Sequence, residues 1–361
     1  MFHDMGLVGN VLQPLYLGAR CVLMSPLSFL QRPARWLRAI SEFGATTSGG
    51  PNFAFDLCAR KIDLNELEGI DLSRWTVAFN GSEAVRAETL QAFTESFRAY
   101  GFRREALYPC YGMAEATLLV SGGPQDQPPR TMTVDTRALT DGHIQPVEDN
   151  TADGVTIVGC GHAWLDSDIA VVDPETDQVC REGEVGEICV SGPHVADGYW
   201  QRLEDSEATF DATLPCDPGR NYLKTGDLGV LYDGDLWITG RRKETIVVRG
   251  QNFYPTDIEH VVRNSSEQIT DQVCRVFSVD GASEERLIVV QELPRRKAET
   301  FSPSDLSDDL REAVTRQFGI CVHDVLLVRT GTVPRTSSGK IQRSLCRERY
   351  RAGLLSPISQ T

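Results

Sequence analysis

The chain has 361 residues, 41% of them hydrophobic and 24% charged, which is enough for two or three separate cores. A formal net charge of -15 argues against a nucleic-acid binder, because duplex binding rests on Lys and Arg neutralising phosphates. No stretch reaches the roughly 18 apolar residues of a membrane span, no export signal follows Met1, and ten scattered cysteines without a Cys-x-x-Cys pair read as reduced thiols of a cytoplasmic protein.

The opening residues read as an interior loop and helix. His3-Asp4 is a polar loop whose plain reading is a segment bonded to itself. Val11, Leu12, Leu15 and Leu17 follow at helical spacing, and Cys21-Val22-Leu23-Met24 has the pattern of a buried strand. Trp36, Leu37, Ile40 and Phe43 mark an amphipathic helix, then Thr46-Thr47 a short strand. In Ser48 to Phe55 the pair Gly49-Gly50 permits close backbone approach and Pro51 suits a helix start, a pattern that a plain strand-to-helix turn also uses.

The strand Trp75 to Phe79 stops at Asn80-Gly81-Ser82-Glu83, where Ser82 is the expected N-cap of a helix with Leu90, Phe93 and Phe97 on one face. Leu107 to Cys110 runs into Tyr111-Gly112-Met113-Ala114-Glu115, a third strand with a glycine turn and a helix after it. Such turns at strand carboxyl ends are where α/β sheets place ligands. Residues 122–154 are proline-rich and aperiodic, a long connection or an insertion. Val155 to Val158, Ile169 to Val172 and Gly186 to Val190 are short strands of a small β-barrel or bent sheet.

Gly226-Asp227 makes a turn that leaves a carboxylate at a strand end, and Asp233-Gly234 between apolar runs signals a hairpin. Past Gly240-Arg241-Arg242-Lys243 the character changes. A helix opens at Pro255, apolar runs lie at Val273 to Val279 and Leu287 to Val290, and Ser302-Pro303-Ser304-Asp305 starts a helix with Leu306, Leu310 and Val314 that Gly319 ends. These alternating elements suit a compact α+β domain. Pro334 to Ile341 is a Ser/Gly loop presenting Lys340. Taken singly, Lys340 reads as a solvated charge, Glu115 as an early-helix acid, Tyr111 as core and Asp227 as a turn residue. Their occurrence together and in order is what alters the reading.

Gly81-Ser82-Glu83, Tyr111-Gly112-Met113-Ala114-Glu115, Thr225-Gly226-Asp227, Gly240-Arg241-Arg242-Lys243 and Gly339-Lys340 resemble the motifs of the adenylate-forming superfamily. Phe2 to Leu7 and Gly49-Gly50-Pro51-Asn52-Phe53-Ala54 are similar to its fatty acyl-AMP ligases, and the likeness covers essentially the whole chain. The resemblance implies an α/β fold: the carboxyl-terminal portion of the large domain, with partial α/β subdomains at 1–154 and a β-barrel-like subdomain at 155–240, then a mobile α+β domain at 243–361. Residues 122–154 are a candidate for the extra segment of that subgroup.

The resemblance also implies ATP-dependent activation of a fatty acid to an acyl-adenylate, then transfer to the phosphopantetheine thiol of an acyl carrier protein or a polyketide or nonribosomal synthase carrier domain. ATP/AMP and Mg²⁺ are the implied cofactors. Lys340 would offset the charge of the reacting carboxylate and phosphate, and Glu115 would hold Mg²⁺. Gly81, Ser82, Glu83, Tyr111, Gly112, Asp227 and Arg241 would bind the nucleotide. His3, Asp4, Gly50, Asn52 and Phe53 would line the acyl pocket, and Lys243 would be the hinge. Ala84 stands where Pro is commoner and Glu244 where Asp is usual. The family's Ser/Thr/Gly-rich phosphate loop with its Lys has no match here. That leaves three readings: a ligase of which this chain is a fragment, is mis-started at an internal Met, or is joined by a separately encoded amino-terminal half; a non-catalytic remnant that binds acyl-adenylate or carrier protein; or an acyl-CoA ligase.

Overall fold

The computed structural model describes residues 3–149, 151, 153–270, 272–281, 285–294, 302–335 and 341–358. The chain is an α/β protein that divides into two compact units, one formed by Met1–Asp135 with Ile144–Thr239, the other by Thr136–His143 with Gly240–Thr361.

In the first unit, strands β1 (Thr47–Gly50), β2 (Val77–Asn80) and β3 (Leu107–Met113) pair in parallel, with the helices Asn52–Lys61 and Ala87–Phe97 as the crossovers. Parallel neighbours need such crossovers, and those helices bury the sheet. An aromatic cluster lies in that core: Phe55, Trp75, Phe93, Phe97 and Phe102 are at most 2% exposed, and edge-to-face contacts join them to one another and, through Phe55 and Trp75, to Trp36. Each such side chain contributes about 2–3 kcal/mol by removal from water. The indole of Trp75 donates to the Ser48 and Val77 carbonyls at 3.1 and 3.0 Å, so its one polar atom is satisfied in the core.

A second, antiparallel sheet runs in the order Ala212–Leu214, Asp217–Tyr232, Gly186–Ser191, Asp168–Val172, and Asp235–Arg241 pairs with Asp217–Tyr232. The hairpin turn falls at Asp233-Gly234, as the dipeptide predicts. Both residues take positive φ, +49° and +80°, the geometry whose twist matches the strands it joins. Trp237 beyond it is 1% exposed.

The second unit has its own sheet, Cys274–Asp280 antiparallel to Glu285–Leu293, which is parallel to Val322–Arg329. Val276, Leu287 and Val289 join one buried cluster with Ile258, Val262, Leu306, Leu310 and Val314 of the helices Pro255–Asn264 and Pro303–Phe318. Phe277, Ile288 and Val290 join another with Cys346 of the helix Arg343–Arg351. A strand covered on both faces must be apolar at successive positions, which is why Leu287 to Val290 reads as an unbroken run. Ser302 caps its helix by accepting from Asp305 N at 3.4 Å, and Gly319 ends it in the left-handed region at φ +68°.

Three sequence expectations are corrected. Cys21 to Met24 is not a strand: among the described residues nothing pairs with it, and Val22, Leu23 and Met24 are 47%, 54% and 37% exposed. The helical segments around it, Met5–Leu12, Gln13–Leu17 and Pro26–Gln31, also hold no buried residue. Ser82 is not an N-cap. It sits at φ +67°, and the helix begins at Ala87 after an extended Arg86, whose amide is already taken by the Asn52 side chain. Glu115 does not start an α-helix; it lies in a single 3₁₀ turn, Ala114–Ala116, from which the chain returns as β4 (Leu118–Gly122), antiparallel to β3.

Candidate active site

The register Gly50, Asn80, Pro109 across β1, β2 and β3 brings three motif turns to one edge of the sheet. Asn52, on the helix after β1, ties the first two together. Its Oδ1 accepts from Asn80 Nδ2 at 3.3 Å and Arg86 N at 3.1 Å, and its Nδ2 donates to Thr89 Oγ1 at 3.2 Å. Glu83 reaches across in the other direction, its Oε1 accepting from Phe53 N at 2.6 Å. A carboxylate there satisfies an orphan amide and faces the positive end of the Asn52–Lys61 helix. Gly81 is pressed against β3: a Cβ would meet the Cys110 carbonyl at 2.8 Å. Ser82 in the left-handed region stores the kind of backbone strain that collects at functional turns.

Tyr111 Oη donates to Asp227 Oδ2 at 2.8 Å, across 116 residues of chain. Asp227 is delivered by an irregularity in its strand. The register with Gly186–Ser191 slips between Lys224 and Leu228, Gly226 turns at φ +71°, and its amide donates to the buried Glu187 at 3.1 Å. The Thr225 hydroxyl donates to the Ile188 carbonyl and accepts from Asp227 N. Bulges re-aim a side chain in this way beside active sites. Gly112 is required sterically, because a Cβ there would lie 1.6 Å from the Leu118 carbonyl oxygen on β4.

Glu115 is held by a residue that the sequence did not single out. Tyr199 Oη donates to Glu115 Oε1 at 2.7 Å, and burial with this hydrogen bond pushes the Tyr199 hydroxyl up to about 12, so it stays a donor. Two further hydrogen bonds seat the two segments together: Ala196 N donates to the Glu115 carbonyl at 2.8 Å and Thr117 Oγ1 to the His194 carbonyl at 2.5 Å. The signal available was Gly198-Tyr199-Trp200, a glycine at φ +147° before two aromatics, of which Trp200 is 87% exposed. A single anchored carboxylate fits Mg²⁺, which is held by one or two carboxylates plus substrate phosphates; among the described residues no group of three His, Cys, Asp or Glu assembles as a protein-only cage.

Of the remaining predicted residues, Phe53 meets this cluster through its amide, which donates to Glu83 Oε1. His3 Nδ1 and Asp4 Oδ1 are 2.6 Å apart, and His3 Nδ1 also accepts from Met5 N. Phe53 is 47% exposed. Gly50 has room, with the Ala54 methyl 3.7 Å from an added Cβ. Arg241 and Lys243 belong to the second unit, where the Arg241 carbonyl accepts from Thr245 and Lys243 sits in the single 3₁₀ turn Arg242–Glu244. Lys340 lies outside the described residues; Arg335 and Ile341, which flank its loop, form a β-bridge.

Residues 1–200 match the family model of the AMP-binding enzymes, and residues 243–360 match that of the AMP domain of Disco-interacting protein 2-like proteins. The chain therefore belongs to the AMP-binding enzyme family, the class to which its α/β fold and its three aligned turns correspond. Its relatives include the medium-chain fatty acid acyl-carrier-protein ligase JamA of Moorena producens (strain JHB), 44% identical over 98% of this chain and 60% of that protein. The long-chain-fatty-acid AMP ligase FadD26 of Mycobacterium marinum is 38% identical over 98% of this chain and 61% of its own. A solved structure from work on fatty acyl-adenylate ligases of E. coli and L. pneumophila aligns with a TM-score of 0.86 at 32% identity, covering 98% of this chain and 61% of that one. The chain thus spans about 60% of the length of the curated relatives it matches.

Proposed function

We propose that this chain supplies the nucleotide-binding turns and the mobile domain of a fatty acyl-AMP ligase. The fatty acid carboxylate attacks the α-phosphorus of ATP, giving acyl-adenylate and pyrophosphate; the phosphopantetheine thiolate of an acyl carrier protein, or of a synthase carrier domain, then attacks the acyl carbon and AMP leaves. The observation that carries this reading is the Tyr111 to Asp227 hydrogen bond, which joins two motifs far apart in sequence at the edge where Gly81-Ser82-Glu83 ends its strand. In this reading Asp227 and Arg241 grip the ribose, the Tyr111 ring stacks on adenine, and the backbone around Gly81, Ser82, Glu83 and Gly112 reads the base edge. His3, Asp4, Gly50, Asn52 and Phe53 border the acyl chain. Lys340, carried on a domain that turns at Lys243, offsets the repulsion between carboxylate and phosphate. Glu115 holds Mg²⁺, which when bound would neutralise phosphate charge.

Exchange of labelled pyrophosphate into ATP, dependent on fatty acid, tests the first step, and loading of carrier protein against coenzyme A separates this ligase from an acyl-CoA ligase. Tyr199→Phe removes one hydrogen bond from Glu115, worth about 1 kcal/mol, and is expected to lower the exchange rate of the ligase that carries its phosphate loop roughly fivefold. Its melting temperature should stay within about 2 °C of the parent; an unchanged exchange rate would take Tyr199 out of the site.

A partner-dependent form of this reading is favoured by an apolar segment, residues 13–31, that holds two short helices without a buried residue. Leu15, Tyr16, Leu17, Leu27 and Leu30 are 75%, 90%, 65%, 64% and 54% exposed, an apolar density that water-facing surfaces avoid. Its occupant in this reading is the polypeptide bearing the phosphate loop, whether joined to this chain or separately encoded. The chain alone is expected to bind the dye anilinonaphthalene sulfonate and to lack pyrophosphate exchange, and adding that polypeptide should remove the first and restore the second. Full exchange by the chain alone would overturn partner dependence.

A further inference from the structure

We infer that Glu187 is a positioning residue for Asp227: its buried carboxylate takes the place of a missing strand partner and so fixes the turn from which Asp227 projects. The inference rests on the proposed ribose contact of Asp227 and goes beyond it, since Glu187 is none of the residues assigned to the nucleotide or the acyl chain.

The strand Asp217–Tyr232 pairs with Gly186–Ser191 at Lys224 to Cys189 and again at Leu228 to Glu187, so Thr225, Gly226 and Asp227 lie against Ile188 alone. A bulge of that size leaves backbone groups without their ladder partners, and such groups are costly when buried. Two side chains supply the missing bonds. Glu187 Oε1 accepts from Gly226 N at 3.1 Å, and Thr225 Oγ1 donates to the Ile188 carbonyl at 2.8 Å. Gly226, at φ +71°, has no Cβ to restrict it, so the bond to Glu187 is what selects its conformation. Glu187 is 3% exposed; a carboxylate buried to that degree needs donors, and a charge-assisted bond to an amide is of the stronger kind.

The strand is also held just before the bulge. Lys224 Nζ donates to Asp177 Oδ1 at 2.6 Å. Asp177 sits at φ +57° in a turn that Asp173 organises, its Oδ1 accepting from Glu175 N at 2.8 Å and Thr176 N at 2.9 Å. Past the bulge, the residue at which pairing resumes is Glu187 itself, opposite Leu228. One residue therefore holds both neighbours of Asp227: its side chain bonds Gly226 and its backbone position registers Leu228. Asp227 is bracketed between these two attachments, and a shift of the bulge would part its carboxylate from the Tyr111 hydroxyl 2.8 Å away.

The experiment uses the full chain, its Glu187→Leu and Glu187→Gln variants, and AMP as the probe. Gln keeps an acceptor oxygen for Gly226 N, whereas Leu keeps only the bulk. Titration calorimetry, at a temperature where all are folded by circular dichroism, is expected to show AMP binding about tenfold weaker in Glu187→Leu and within about threefold of the parent in Glu187→Gln. Added to Asp227→Ala, Glu187→Leu is expected to cost less than about twofold further, because it acts through the carboxylate already lost. Unchanged affinity in Glu187→Leu, or the full tenfold loss on top of Asp227→Ala, overturns the inference. Selective isotopic labelling of glycine with NMR detection reads the Gly226 amide directly. Its hydrogen exchange is expected to be at least about 100-fold slower than in an unstructured peptide, and about tenfold faster in Glu187→Leu than in Glu187→Gln. An unprotected Gly226 amide in the parent overturns the inference even where Glu187→Leu does not fold. If Asp227→Ala leaves AMP affinity unchanged, the ribose role of Asp227 falls, and the Gly226 exchange still decides whether Glu187 holds the bulge.

Discussion

Gly112→Ala is expected to dismantle the turn that presents Glu115. The added Cβ would sit 1.6 Å from the Leu118 carbonyl oxygen and 2.7 Å from its carbon, both backbone atoms of the returning strand, so no side chain can swing aside to make room. The β3 to β4 pairing would have to part, at a cost of about 3 kcal/mol or more. For a unit of this size that lowers the melting temperature by roughly 10 °C. Gly50→Ala is the matched control, because its Cβ would make only an ordinary contact with Ala54 at 3.7 Å, and a shift within about 1 °C is expected. Circular dichroism melts of the two variants decide the matter; a Gly112→Ala protein that melts with the parent would contradict the hairpin geometry.

Asp227→Ala is expected to cost about 100-fold in affinity for AMP, the equivalent of two charge-assisted hydrogen bonds at roughly 1.5 kcal/mol each. The carboxylate is 6% exposed and is aimed by the slipped register around Gly226, so its replacement removes the acceptor without touching the strand pairing. Tyr111→Phe takes away the 2.8 Å hydroxyl bond that steadies Asp227 and should cost roughly fivefold. Titration calorimetry with AMP measures both, and equal affinities for Asp227→Ala and the parent would remove Asp227 from the ribose.

Much of this was legible in the residues because local chemistry and tertiary structure agree where they were read. Asp233-Gly234, Ser302 with Asp305, and Gly319 each fix a backbone geometry through atoms close in sequence, and each is found where expected. Ser82 misled because Ser is a good cap, while the amide that would have marked the helix start, Arg86 N, is bound by Asn52 from 34 residues away. Cys21 to Met24 misled because an apolar run predicts burial only where a neighbour exists to bury it. Tyr199 escaped notice for a related reason: an aromatic after a glycine says nothing of the carboxylate 84 residues earlier that it meets. The buried Glu187 is the same kind of case, visible as an acid in sequence but as the acceptor for a particular amide only in the fold.

The tryptophans of the first unit give the candidate site an optical consequence. Trp75 and Trp237 are sealed, at 0% and 1% exposure, whereas Trp200, the neighbour of Tyr199, stands in water. Emission from this chain therefore contains a fraction shielded from acrylamide and a fraction open to it, and the open fraction includes light from the segment beside Glu115.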